Sequence, residues 1–372
     1  MPDRTEVVEL ISQLVAIESV NPTLVPGGSG EAAVGRFVAD WLEQHGIETE
    51  YEEVEPGRAN VVGRVRGSGG GRTLLLNAHL DTAGLGGPDG GTTPRVDGDR
   101  LYGRGSYDMK SGLAAIMLAA ARAADLRLAG DVVVTAVSDE EDRSLGSERI
   151  AATVQADAVI VAEPTELQLV IAHRGFLWLE LETQGVAAHG SRYDLGVDAI
   201  ARMGPVLVAL EQLDAGLRSG TPAHPLLGHA SLHASLIEGG TELSTYPDRC
   251  VVKVERRTLP GETAEAVEAQ VRAAAPEATV RTLFVREPLE TAHDAEIVER
   301  LLANARPVLG HAPEVVGATW WADAALFAAA GIPTVLFGAS GEGAHAETEW
   351  VDLGDVERVT EIVLATIADF CT

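Results

Sequence analysis

Five polar residues of two chemical kinds sit at the ends of apolar runs in this chain. His79 closes a run that begins near Thr73, Glu141 follows Val132–Val137, and Glu163 follows Ala158–Ala162. Asp108 stands just before the Ala-rich stretch Ser111–Ala124, and His345 lies in a Gly/Ala-rich loop after Thr334–Phe337. A short apolar run without alternation reads as a strand buried on both faces. Such strands need helices over both sides, and a polar group leaving one emerges at an edge of the sheet. Open α/β sheets collect ligands at that edge. Two imidazoles and three carboxylates are also a donor set suited to two divalent metals of the zinc type. Both donor types bind Zn²⁺, and one carboxylate has two oxygens with which to bridge a pair of ions.

The rest of the chain sorts into two styles. Residues 3–18 and 31–45 carry helical spacing, and Gly46 is a stop signal after the second. Strand-like runs follow at Asn60–Val65, Thr73–Ala78, Val132–Val137 and Ala158–Ala162, with Ser111–Ala124 readable as a buried helix between them. After Arg174 the pattern changes to strand alternation at Leu177–Thr183, then a helix at about Gly196–Leu213 and a Pro/Gly/His-rich loop at Ser219–His229. Strands at Ser231–Ile237, Cys250–Glu255 and Thr279–Phe284 and a helix at Glu262–Ala274 complete a compact α+β unit. From about Thr291 the first style returns, with helices at Ala295–Leu309, Ala322–Ala330 and Leu353–Phe370. The expected fold class is α/β. A discontinuous catalytic domain (1–174 and 290–372), with a mainly parallel sheet flanked by helices, is interrupted by an inserted α+β domain (175–289).

Charge and cysteine content narrow the partners. With 56 acidic and 28 basic residues, the net charge of −28 repels nucleic acid and anionic membranes, so neither is an expected partner. No stretch approaches the roughly 20 apolar residues of a membrane span. The polar start and the presence of only Cys250 and Cys371 make a cytoplasmic address the expectation.

Each candidate residue carries a blander reading beside the chemical one. Asp81, two residues past His79, can share its face and accept a hydrogen bond from the imidazole, or the pair can be a simple turn contact. Asp108 can bridge two ions or merely cap the helix that follows. Glu140 and Glu141 point to different sides of extended chain, so one can bind metal while the other faces a reacting water. With Asp139 and Asp142 they can equally be a solvated acidic loop. A lone loop histidine such as His345 is ordinarily a surface residue; its case rests on the other four.

Together these segments resemble the M20 metallopeptidases, the group of acetylornithine deacetylase, succinyl-diaminopimelate desuccinylase, aminoacylases and related carboxypeptidases. The resemblance is carried by His79-Leu80-Asp81, Gly103-Arg104-Gly105 through Asp108-Met109-Lys110, Asp139-Glu140-Glu141, Glu163-Pro164-Thr165, and Ala344-His345 with Glu349. Arg256 to Glu262 and Gly331 to Thr334 are similar as well, in the same order along nearly the whole chain. The resemblance implies one metal on His79 and Glu163, a second on Glu141 and His345, and Asp108 between them. The ions implied are zinc, with cobalt or manganese as alternatives. It further implies Glu140 as general acid/base, Asp81 as partner of His79, and a cis Asp108–Met109 peptide. The inserted domain is implied to be a lid and homodimerisation domain. From it His189 would reach the partner's site to stabilise an oxyanion, and Arg257 would grip a substrate carboxylate; a turn histidine and a strand-end charge are the plainer readings.

Four places depart from the family pattern: Ser244–Asp248, Ala322-Asp323, Gly338–Ser340 and Gly84–Thr93. All touch the expected substrate pocket rather than the metals. No Gly-x-Ser-x-Gly elbow offers a serine nucleophile. The glycine run at Arg66–Gly71 leads into a strand, so it has no helix N-terminus for a phosphate. The expected activity is a two-metal amidohydrolase that cleaves a small N-acyl amino acid. A metallo-exopeptidase acting on dipeptides is the first alternative, and a non-catalytic relative the second.

Overall fold

The computed structural model describes residues 3–86, 91–220 and 223–372. Parts of two expected loops, Gly84–Thr93 and Ser219–His229, therefore lie outside the described residues. Backbone proximity divides the chain into two units. The first comprises Met1–Ile171, Thr291–Val316 and Ala322–Thr372; the second comprises Ala172–Glu290 and Gly317–Trp321.

The first unit opens with α1 (Arg4–Ala16), α2 (Ala32–Gln44), β1 (Glu48–Glu55), β2 (Arg58–Val65) and β3 (Leu74–His79). A short hairpin, β4 (Arg95–Asp97) and β5 (Arg100–Tyr102), precedes α3 (Lys110–Ala123). Then come β6 (Val132–Val137), α4 (Leu145–Thr153), β7 (Ala158–Val161) and β8 (Leu169–His173), the last of which runs past the unit boundary. The second unit holds β9 (Gly175–Gln184), α5 (Ala199–Ser219), β10 (Ser231–Gly239), β11 (Arg249–Thr258), α6 (Ala264–Ala274), β12 (Thr279–Arg286) and β13 (Leu289–Glu290). The chain returns through α7 (Glu296–Leu309), β14 (Val315–Ala318), which crosses the unit boundary, α8 (Ala324–Ala329), β15 (Thr334–Leu336), β16 (Gly341–Glu342), β17 (Trp350–Asp352) and α9 (Leu353–Phe370).

The main sheet runs β1-β2-β6-β3-β7-β15-β8. Its centre is parallel, with β3 paired to β6 and β7, and β15 to β7. The margins are antiparallel. Every residue of β3, β6 and β7 is buried, as expected of strands covered on both faces. Helix α3 packs on β3 and β6 and is backed by α1 and α9, while α4 and α8 meet each other over β6, β7 and β15. Almost all of α3 is buried, because Ala, Leu, Ile and Met occupy its whole circumference. Gly112 lets its first turn approach β7: a Cβ there would lie 2.0 Å from the Ala162 carbonyl oxygen.

The second unit has an antiparallel sheet in the order β10-β11-β9-β12. Leu177, Leu179, Leu181, Val252 and Val254 of that sheet form one core with Met203 and Val206 of α5 and Val267 and Val271 of α6. Two strand–helix–strand halves in this order make a ferredoxin-like arrangement. Helix α5 runs to Ser219, past the expected end at Leu213, and holds Pro205 inside its length.

Candidate metal centre

Three of the five donors owe their meeting to the parallel strands. β3, β6 and β7 run side by side in the same direction, so the residues that follow them emerge at one edge. His79 is the last residue of β3, Glu141 lies four residues past β6, and Glu163 two past β7. Asp108 comes from the turn before α3, and His345 from the loop between β16 and β17, where it adopts a left-handed backbone with φ 62°.

The side chains converge around Asp108. Its Oδ1 is 3.0 Å from His79 Nε2, and its Oδ2 is 3.5 Å from His345 Nε2. His345 Nε2 is 2.8 Å from Glu141 Oε2, and His79 Nε2 is 4.0 Å from Glu163 Oε1. Donor atoms of His79, Asp108 and Glu141 lie within 4.8 Å of one another, as do those of His79, Glu140 and Glu163. The Asp108–Met109 peptide is cis.

Electrostatics mark this as a cluster short of positive charge. Burial pushes the Glu163 carboxyl up to about 8, with Asp108, Asp323 and Glu141 adding to the rise. Glu140 is held well above the usual carboxylate range by burial, then by Glu163 and Asp323. Burial also raises Glu141. For Asp108 burial is outweighed by hydrogen bonds with His345 and His79, and its carboxyl lies below the usual range. The same contacts with Asp108 and Glu141 lift His345 to about 10. Glu141 Oε1 is buried with no hydrogen-bond partner among the described residues. Buried carboxylates this close repel one another unless a cation sits among them. Imidazole nitrogen and carboxylate oxygen facing one spot from several sides are the donor chemistry of a divalent-metal site.

One expected contact differs. Asp81 does not hydrogen-bond His79 through its side chain: the nearest carboxylate oxygen is 3.7 Å from Nδ1, which instead meets the Asp81 carbonyl oxygen at 2.9 Å. The strand stops at His79, so the two-residue alternation that would have put both side chains on one face is not maintained. The Asp81 carboxylate instead accepts the backbone N–H groups of Glu140 and Glu141, each at 3.1 Å.

His189 and Arg257 belong to the second unit. His189 is exposed, and its Nδ1 lies 2.8 Å from the Ser191 hydroxyl. Arg257 is half-buried, with Nε 2.6 Å from Glu255 and its guanidinium 5.2 Å from the centre of the Phe176 ring.

Three residues around the donors entered the sequence reading only as parts of motifs or departures from them, with no role assigned. Glu349, fully buried, accepts the N–H groups of Gly105 (3.0 Å), Tyr107 (2.9 Å) and Asp108 (3.0 Å) and the Arg104 guanidinium at 2.7 Å. Arg104 also donates to the Ala346 carbonyl at 2.6 Å. That pair ties the turn bearing Asp108 to the loop bearing His345. Asp323 is a further buried carboxyl, pushed up to about 6 by burial although the Ser147 and Ser144 hydroxyls beside it pull it down.

Comparison with known proteins gives a consistent picture. The family model described as peptidase family M20/M25/M40 matches residues 75–369. The acetylornithine deacetylase of Proteus mirabilis (strain HI4320) is 29% identical over 383 residues, covering 98% of this chain and 96% of that protein. Among solved structures, aminopeptidase PepT from Bacillus cereus superposes with a TM-score of 0.79 at 19% identity, over 100% of this chain and 99% of that one. A dinuclear metal-binding peptidase from Bacillus subtilis gives 0.72 at 18% identity over 99% of each. The fold they share is mixed α/β with a mainly parallel central sheet.

Proposed function

This chain belongs to peptidase family M20/M25/M40 and is a hydrolase of amide or peptide bonds, and from that premise we propose that it removes the acyl group from a small N-acyl amino acid. The observation that carries the site reading is the gathering of His79, Asp108, Glu141 and His345, with Glu163 and Glu140 beside them. Its nature as a deacylase is supported by the name of the Proteus mirabilis relative.

In this reading His79 and Glu163 hold one divalent metal, Glu141 and His345 hold the other, and Asp108 serves both. Zinc suits the donors, with cobalt or manganese able to replace it. Bound there, such a pair supplies Lewis acidity and lowers the pKa of water. Glu140 moves the proton. Burial raises its proton affinity in the metal-free protein; beside bound ions it would take a proton from attacking water and return it to the leaving nitrogen. Asp81 orients Glu140 and Glu141 through their backbone N–H groups. Arg257 binds the substrate carboxylate with its planar fork.

The second unit acts as lid and homodimerisation domain, with His189 serving the partner's oxyanion. The exposed Leu236 and Ile237 on the sheet-edge strand β10 support pairing of two copies. Free, buried Cys250 and Cys371 suit the cytoplasm. Among the described residues no helix is long and apolar enough to cross a membrane.

A hydrolysis panel of N-acetyl and N-succinyl amino acids and dipeptides, with and without chelator, tests the proposal. Turnover of an N-acyl amino acid, lost with chelator and regained on adding metal, is expected. Turnover of dipeptides alone would make the chain an exopeptidase, and chelator-resistant turnover would remove the metals from the scheme.

A further inference from the structure

Beneath the Glu140–Glu141 turn lie five polar side chains, each at most 4% exposed: Asn21, Glu31, Arg58, Asp81 and Asp139. Among them only Asp81 has a part in the reaction proposed above. We propose that Arg58 is a positioning residue which, through Glu31, Asp139, Asn21 and Asp81, sets the direction in which Glu140 and Glu141 project. The inference rests on the roles assigned to those two glutamates.

Arg58 stands on β2 and grips both oxygens of Glu31, at 2.6 Å from Nε and 2.7 Å from Nη2. The same Nη2 reaches Asp139 Oδ1 at 2.6 Å. Glu31 Oε1 also accepts the Asp139 N–H at 3.1 Å, so Asp139 is held by backbone and side chain together. Asn21 Nδ2 then joins the two halves, donating to Asp139 Oδ1 at 3.0 Å and Asp81 Oδ2 at 2.8 Å. The two Asp81 oxygens receive Glu140 N–H and Glu141 N–H. Three successive backbone N–H groups, from Asp139 to Glu141, thus end on buried carboxylates of one network.

The turn needs such support. Asp139 has φ 70°, a left-handed backbone that side chains with a Cβ disfavour. Such a residue persists where its surroundings over-determine it. Stability alone is a poor account of the cluster, because buried ion pairs often stabilise no better than apolar side chains of the same volume. Two carboxylates on one guanidinium, with a third, Asp81, joined to them through Asn21, make a costly core. Its hydrogen bonds are directed at the turn that carries Glu140 and Glu141.

The test uses the full-length protein loaded with cobalt(II), whose visible spectrum reports ligand geometry. Arg58→Met strands two buried carboxylates and risks misfolding, so the decision falls to Asn21→Ala, which keeps every charge, and Arg58→Lys, which keeps the cation without its fork. Leu301→Ala, in the core behind the sheet, serves as a control for lost stability alone. Asn21→Ala is expected to fold, to shift the cobalt bands, and to lower kcat about tenfold or more with KM within about twofold. Arg58→Lys is expected to fall between it and the parent. Leu301→Ala is expected to melt earlier with unchanged kcat and spectrum. Parental spectra and kcat in both Asn21→Ala and Arg58→Lys, or equal losses in Leu301→Ala, would overturn the positioning role. A parent protein that binds no cobalt would instead overturn the ligand assignment, and this inference with it.

Discussion

Replacing Glu349 by glutamine should loosen the centre without touching a proposed ligand. The carboxylate accepts Tyr107 and Asp108 N–H on Oε1, and Gly105 N–H and Arg104 on Oε2. An amide of the same shape keeps one oxygen and so serves one of those pairs. Its NH₂ group must face donors on the other side. A hydrogen bond to a charged group contributes about 1.5–3 kcal/mol, and breaking a buried ion pair costs about 3–5 kcal/mol. These overlap in one residue, so Glu349→Gln should cost about 3–5 kcal/mol. At about 2–4 °C per kcal/mol for a domain of this size, the melting temperature should fall by about 6–20 °C. Because Glu349 receives the Asp108 N–H, metal affinity should fall about 10- to 100-fold as well. Differential scanning calorimetry of the metal-free protein and calorimetric zinc titration in a competing chelator read the two effects separately. A melting point within about 2 °C of the parent, with unaltered zinc affinity, would refute the idea that this carboxylate fixes the Asp108 turn.

Glu140→Gln should lower kcat by about 10²- to 10⁴-fold while metal content, measured by atomic emission, stays at the parental level. Stability of the metal-free protein should fall as pH rises. The folded state binds the Glu163 proton more tightly than the unfolded chain, so that contribution is whole below about 4.5 and lost as pH rises through about 8. The His345 contribution is likewise whole below about 6.5 and lost through about 10. Buried Lys110, whose ammonium is pushed down to about 7, works in the opposite direction above that pH. The downward slope of the melting curves should therefore be clearest from pH 5 to 7, and zinc loading should flatten it; a metal-free protein that gains stability from pH 5 to 7 would contradict the Glu163 shift. Gly112→Ala should destabilise by about 1–3 kcal/mol in urea unfolding, since its methyl meets the Ala162 carbonyl.

What could be read from the chain follows from how far a physical signal extends along it. His79, Glu141 and Glu163 were visible because each follows a buried apolar run, and parallel strands deliver their ends to one edge. Strand β1 went unseen because it is dense in glutamate and lies at the margin of the sheet, where charge is tolerated and blocks unwanted pairing. The Asp81 carboxylate was aimed wrongly because alternation holds only inside a strand, and β3 stops at His79. Asn21, Glu31 and Arg58 are isolated polar residues without periodicity, and Glu349 stood out only as a motif neighbour of His345, with no sign of what it binds. Arg58 and Asp139 meet across 81 positions of sequence, and Glu349 reaches Asp108 across 241. Nothing local in a sequence announces such a pairing.

The two imidazoles differ sharply in their access to water: the His79 side chain is 1% exposed and that of His345 55%. On the proposed ligation, ions therefore enter and leave on the His345 side. A chelator should draw the first ion quickly, whereas release of the second must wait for the protein to open around His79. Partly loaded protein would then be a lasting species rather than a passing one, with its remaining ion at the inner position.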